Sequence, residues 1–166
     1  MEDEVKKIGL IIVVLIVLLA IPVTVFVASQ QQELRKKAAP ATTLALAPAS
    51  NTKKVNDVFS LDARIDTGEN QVAAAEVHFV FDPEKLEAVT ITNGSSFPNI
   101  LSSGTVGSGT ASIAVGAPGP TTPFKGVGTV ATIKFRAAAA TSAPVSVKFG
   151  SNTFVSAIGE SATNVL

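Results

Sequence analysis

The chain has 166 residues with 13 basic and 13 acidic side chains, so its formal net charge is zero, and it holds one His, nine Phe and no Cys, Trp or Tyr. Balanced charge gives no electrostatic basis for binding nucleic acid. The lack of Cys excludes disulfides, thiolate nucleophiles and Cys-based zinc sites, and a single His excludes a His-rich metal cluster, so the composition points to an attached, non-catalytic module.

A short tail, residues 1–7, precedes the run IGLIIVVLIVLLAIPVTVFVA at 8–28, which is 21 residues long and carries no charge. As a helix it would measure about 31 Å at ~1.5 Å per residue, matching a hydrocarbon core of ~30 Å. It is therefore predicted to be a single transmembrane helix serving as a signal anchor. Pro22 is tolerated in such a helix. The competing reading is a cleaved signal peptide, with Lys6 and Lys7 as its charged start and Val27-Ala28-Ser29 as a small-residue cleavage site. Against it, the apolar run exceeds the ~7 to 15 residues of a signal-peptide core. A pilin-type leader needs an acidic residue a few positions into the apolar run, and Gly9-Leu10-Ile11-Ile12 supplies none.

Lys6 and Lys7 before the span are balanced by Arg35, Lys36 and Lys37 after it, so flanking charge does not decide orientation. A minimal N-terminal tail ahead of a large C-terminal domain is most simply N-inside, which places the domain outside the cytoplasm, at the cell surface. Residues 29–40 (SQQQELRKKAAP) have no apolar stripe and end in Pro40, and read as a stalk.

From residue 41 to 166 the pattern is period-two alternation in short segments divided by Gly, Pro, Asn and Ser clusters, the mark of antiparallel strands with one buried face. The elements expected in chain order begin with a weak strand at Thr42 to Ala47 and a clear one at Val58 to Asp66, with Phe59, Leu61, Ala63 and Ile65 inward. After the turn Thr67-Gly68-Glu69-Asn70, Val72 to Asp82 buries Ala75, Val77, Phe79 and Phe81, and Asp82-Pro83 ends it. Strands follow at Leu86 to Thr92, Thr110 to Val115, Val127 to Ala137 and Val145 to Phe149, with shorter pieces at Phe97 to Leu101 and Phe154 to Ile158. Ala117 to Pro123 reads as a stiff loop, and Ala137 to Ala143 as a loop or one helical turn. Eight or nine short strands of this kind need two sheets packed face to face, an all-β sandwich, with Phe59, Phe79, Phe81, Phe135 and Phe149 filling the interior.

With the strands placed, three segments resemble the cohesin domain family. Val77-His78-Phe79-Val80-Phe81-Asp82-Pro83-Glu84-Lys85-Leu86 is similar to that family's hydrophobic strand ending in aromatic-Asp-Pro-x-x-Leu. Gly126 to Phe135 resembles its penultimate strand, and Val145 to Phe149 followed by Phe154 to Gly159 resembles its ending. The resemblance spans residues 42 to 160 and implies an antiparallel jelly-roll of about nine strands that binds dockerin modules, which bring their own calcium. No cofactor is implied on this chain. The implied role is a membrane-anchored surface module in polysaccharide-degrading or cell-surface assembly.

The strand faces that would meet dockerin carry Glu76, His78 and Val80, Ser112 and Ala114, and Val130 and Thr132, mostly small and without a Tyr or Trp anchor. Two other functions fit the architecture, a carbohydrate-binding module and a structural surface or filament subunit using open strand edges. Sugar recognition normally uses exposed aromatic rings, for which Phe97, Phe124 and Phe154 are the candidates, and core edges account for these three rings equally well.

His78 is of the residue type that changes charge near neutrality, and beside Glu76 it reads as either an ordinary exposed strand residue or a pH-sensitive contact. A His-Glu couple without a nucleophile or metal does not make an active site, and no Gly-x-Ser-x-Gly elbow is present. The carboxylate pairs Asp82 with Glu84 and Asp62 with Asp66 suit glycosidase chemistry only at the correct separation, and read as turn and strand-face residues. Asp66, Glu69 and Asn70 could supply oxygens to a calcium ion but lack EF-hand spacing. Leu166 follows without a feature that marks an end, so the sequence is compatible with a piece of a longer chain.

Overall fold

The computed structural model describes residues 42–119, 121–159 and 164–166. The tail 1–7, the expected membrane span 8–28 and the stalk 29–40 lie outside the described residues. Among the described residues, no helix is long and apolar enough to cross a membrane.

Alternating inward apolar residues produce nine strands: β1 (Thr43–Ala47), β2 (Val58–Asp66), β3 (Val72–Val80), β4 (Leu86–Asn93), β5 (Asn99–Val106), β6 (Thr110–Gly116), β7 (Val127–Ala137), β8 (Lys148–Phe149) and β9 (Phe154–Ala157). They form two antiparallel sheets. One runs β1-β2-β7-β4. The other runs β5-β6-β3, with β8 and β9 sharing the far side of β3. Pairing partners far apart in sequence, such as β2 with β7, make this a jelly-roll sandwich.

Both sheets present their alternate residues to a common interior. Leu61, Ala63 and Ile65 of β2 and Ala131, Ile133 and Phe135 of β7 face Ala75, Val77 and Phe79 of β3 and Ala111, Ile113 and Val115 of β6. Phe81 stands edge-on to Phe135, centroids 5.0 Å apart, and Phe79 packs on Phe149 at 5.6 Å. Phe59 and Phe149 are only partly buried, at the margins of this core.

Strand ends are set by local chemistry. Gly68 supplies the positive φ of 55° that the turn after β2 needs, and its N–H donates to Asp66 Oδ1. After Val80 the chain leaves the ladder at Asp82, whose Oδ1 accepts the Glu84 N–H at 2.9 Å while its carbonyl accepts from Lys85 and Leu86. The turn role expected of Asp82 is thus visible in its bonds. The Thr42 N–H donates to the Val165 carbonyl, which brings the start and end of residues 42–166 to one pole. Pro40–Leu166 is one compact unit.

Three elements differ from expectation. The strand expected at Val145 to Phe149 shrinks to Lys148–Phe149, because the side of β3 opposite β6 is divided: β8 takes Phe79 and Val80, and β9 takes Val72 to Glu76. Val145 and Val147 still pack on the core without pairing. The piece expected at Phe97 to Leu101 instead begins after Pro98 and runs to Val106 as β5. Ala138 to Val147 is irregular loop with no helical turn. β5 also crosses β4 closely, since a Cβ at Gly104 would lie 2.6 Å from both the carbonyl oxygen and Cγ2 of Ile91.

Candidate functional site

The sheet β5-β6-β3-β8/β9 has an outward side built from uninterrupted pairing at its centre. β3 and β6 pair without a bulge from Ala74 opposite Gly116 to Val80 opposite Thr110. Strand alternation therefore puts Ala74, Glu76, His78 and Val80 beside Gly116, Ala114, Ser112 and Thr110 on one surface. Five of the seven residues expected at a partner face, Glu76, His78, Val80, Ser112 and Ala114, are thus brought together.

The other two are elsewhere. Val130 is fully buried (0% exposed), because the β2–β7 ladder carries a bulge between the Ala63–Ala131 and Arg64–Thr129 pairs. The extra residue turns Val130 and Ala131 both inward, which alternation counted through the bulge does not foresee. Thr132 is half-buried on the opposite sheet, where its hydroxyl donates to Asp62 Oδ1 at 2.7 Å. Val130 is a core residue, and Thr132 does not share a surface with His78.

Two residues complete the face that the sequence reading had not placed there. Phe154 of β9 stands directly opposite Glu76, half-buried, while its neighbour Val155 points inward. Leu101 of β5 lies 62% exposed against the position a Gly116 side chain would occupy. The signal for Phe154 was present, since an inward Val155 and Ala157 force Phe154 and Ser156 outward. Leu101 follows from no alternation, because every residue of β5 is exposed.

Of the two readings open for Phe97, loop surface or core edge, the second holds: it is fully buried and packs on half-buried Phe124 with centroids 5.2 Å apart. Its position in the turn that closes β4 onto β7, with the Gly94 N–H donating to the Val130 carbonyl, carries it under the sheet edge. Phe154 alone of the three candidate rings stands on the strand face.

At the centre of the face, His78 Nε2 lies 2.8 Å from Glu76 Oε1, with side chains 27% and 51% exposed. The Thr153 hydroxyl accepts from the His78 N–H at 3.2 Å and fixes the backbone beneath the ring. Around this pair the surface is made of small side chains, so it is shallow and offers main-chain proximity rather than a pocket. Lys148 of β8, opposite Val80, is the other charged residue there.

The remaining polar candidates do not converge. Asp66 is taken by the Gly68 N–H, Glu69 pairs with Lys125 at 2.7 Å, and Asn70 donates to the Thr42 hydroxyl. Asp62 and Asp66 alternate along β2 on the outer side of the other sheet. Among the described residues no group of three or more His, Asp or Glu is placed to hold a metal ion.

Comparison with known proteins agrees with this architecture. The model of the family described as "Cohesin domain" matches residues 44–164. No curated protein matches. Among solved structures, a non-cellulosomal cohesin from the archaeon Archaeoglobus fulgidus is similar at 17% identity and TM-score 0.57, covering 76% of this chain and 84% of that one. The sixth cohesin of scaffoldin B from Acetivibrio cellulolyticus, solved in complex with a dockerin, gives 14% identity and TM-score 0.62, covering 76% and 92%. A cohesin module of a Clostridium perfringens family 33 glycoside hydrolase gives 17% identity and TM-score 0.59, covering 76% and 88%. At these identities the structures establish a shared fold, and with the family match over most of its length the chain belongs to the cohesin domain family.

Proposed function

We propose that the chain is a non-catalytic surface module that recruits a dockerin-bearing partner through the outer side of the β5-β6-β3-β8/β9 sheet. The observation that carries this reading is the shallow, small-residue surface of Ala114, Ser112 and Ala74 flanked by Val80, Phe154 and Leu101, the last lying over the buried Gly116. Such a surface lets a partner's side chains approach the strands closely, and the aromatic and aliphatic flanks supply apolar contact area. A relative of this fold has been solved bound to a dockerin, which supports the same role here. Calcium is expected on the dockerin and not on this chain.

The reading extends to location. Residues 8–28 anchor the protein in a membrane, 29–40 form a stalk, and 41–166 stand at the cell surface, where a captured partner serves polysaccharide degradation or another surface assembly. Carbohydrate binding is the weaker alternative because Phe154 is the one ring on the face and is half-buried.

The test is titration calorimetry of the full chain, held in a nonionic detergent, against recombinant dockerin modules encoded in the same genome, with calcium and then with chelator. Saturable binding lost on chelation is the expected result. Retention on insoluble polysaccharide without any dockerin binding would move the assignment to a carbohydrate-binding module.

A further inference from the structure

β9 pairs with β3 along one edge, so the Val155 backbone groups on its other edge need partners from outside the ladder. The chain end supplies them. The Asn164 side chain accepts the Val155 N–H at 3.0 Å and donates to the Thr153 carbonyl at 3.1 Å. The Val165 N–H donates to the Val155 carbonyl at 3.1 Å, and the Val165 carbonyl accepts the Thr42 N–H at 3.1 Å, just ahead of β1. Asn164 and Val165 thus stand where a further strand would lie, tying the free edge of β9 to the start of β1 in the other sheet.

The two backbone groups held by the Asn164 carboxamide flank a single residue, Phe154. Thr153 and Val155 are both buried, whereas Phe154 is half-buried on the outward side, opposite Glu76. A carboxamide presents a donor and an acceptor in one plane, the same pair that a peptide group of a neighbouring strand would offer. Bonded on both sides of Phe154, it fixes the backbone from which the ring projects. A ring on a fixed backbone loses less freedom when a partner covers it. We infer that Asn164 is a positioning residue of the partner face, holding Phe154 in the geometry that receives a dockerin. The inference rests on the dockerin-binding reading above and adds a determinant that lies outside the strands of that sheet.

The test has two arms, both on the full chain in nonionic detergent. Amide hydrogen exchange read by NMR without a partner should quicken at Val155 by about fivefold or more in Asn164→Ala. It should quicken less at Val77 and Ile113 of the β3–β6 ladder. Titration calorimetry against calcium-loaded dockerin should show Asn164→Ala weakened by about threefold or more. In a Phe154→Ala background the same substitution should change affinity by less than about twofold, because no ring remains to be positioned. Leu166→Ala, in the same chain end but with a side chain outside these bonds, should match the parent in both arms. Thermal midpoints check that every variant is folded.

An unchanged exchange rate at Val155 in Asn164→Ala overturns the bracket around Phe154. Parent-like affinity of Asn164→Ala, or a loss of equal size with and without the Phe154 ring, overturns the positioning role and leaves dockerin binding standing. Failure of the parent chain to bind any dockerin removes the binding reading itself, and the role assigned to Asn164 with it.

Discussion

Val130 separates a core position from a surface one on a single strand, and its truncation has a magnitude that follows from its burial. The side chain is fully buried. Val130→Ala removes two carbons at ~0.8 kcal/mol each, about 1.6 kcal/mol of transfer free energy. The space left between Ala131 and the second sheet raises the cost to roughly 2 to 3 kcal/mol. Val130→Asp would put a carboxylate into the same space at a cost of several kcal/mol. That is comparable with the ~5 to 15 kcal/mol that holds an ordinary domain together. Val80→Asp, at a site 47% exposed, should stay within about 0.5 kcal/mol of the parent.

The assay is urea unfolding followed by far-ultraviolet circular dichroism, which suits a chain without Trp or Tyr. The expected result is a lowered midpoint for Val130→Ala, a midpoint lowered much further or lost for Val130→Asp and an unchanged midpoint for Val80→Asp. A parent-like midpoint for Val130→Ala or for Val130→Asp would refute the inward placement and with it the bulge in the β2–β7 ladder.

Other outcomes follow from the same packing. Phe79→Ala removes a ring with no exposure that stacks on Phe149, and should cost about 3 to 5 kcal/mol by the same unfolding assay. Gly104→Val should force β5 away from the Ile91 backbone. Hydrogen exchange at Asn99–Val106 should then quicken while the β3–β6 ladder keeps its protection. Phe154→Ala should weaken dockerin binding by about tenfold or more if the ring is an anchor of the face, with the unfolding midpoint shifted far less than by Phe79→Ala. The full chain should sediment with membranes and resist carbonate extraction, and recovery in the soluble fraction would exclude an uncleaved anchor at 8–28.

Where strands are regular, the fold could be read directly from alternation. Val58–Asp66 and Val127–Ala137 have the bounds expected from their sequences, because the first alternates inward and outward residues from Ser60 to Asp66 and the second does so from Ala131 to its end. The face residues of β3 and β6 were legible for the same reason, their ladder being unbroken from Ala74 to Val80. Val130 was not, since one inserted residue reverses the parity on either side of it. β5 was hidden because each of its residues keeps much of its surface exposed, so burial imposes no period on Asn99–Val106. Phe97 was left open between surface and core edge because nothing local to a turn shows that Phe124 packs against it. Leu101 required knowing that β5 lies beside Gly116, a long-range neighbour that no local pattern reveals.

The central claim is that the side of β5-β6-β3-β8/β9 bearing Glu76, His78 and Phe154 receives the partner. Mapping backbone amide shifts of the chain on addition of a calcium-loaded dockerin tests it most directly. Changes should concentrate at Glu76, His78, Ser112, Ala114 and Phe154 and spare Asp62, Thr132 and Lys134 on the other sheet. Changes centred on those last three, or on the loops at either pole, would contradict it.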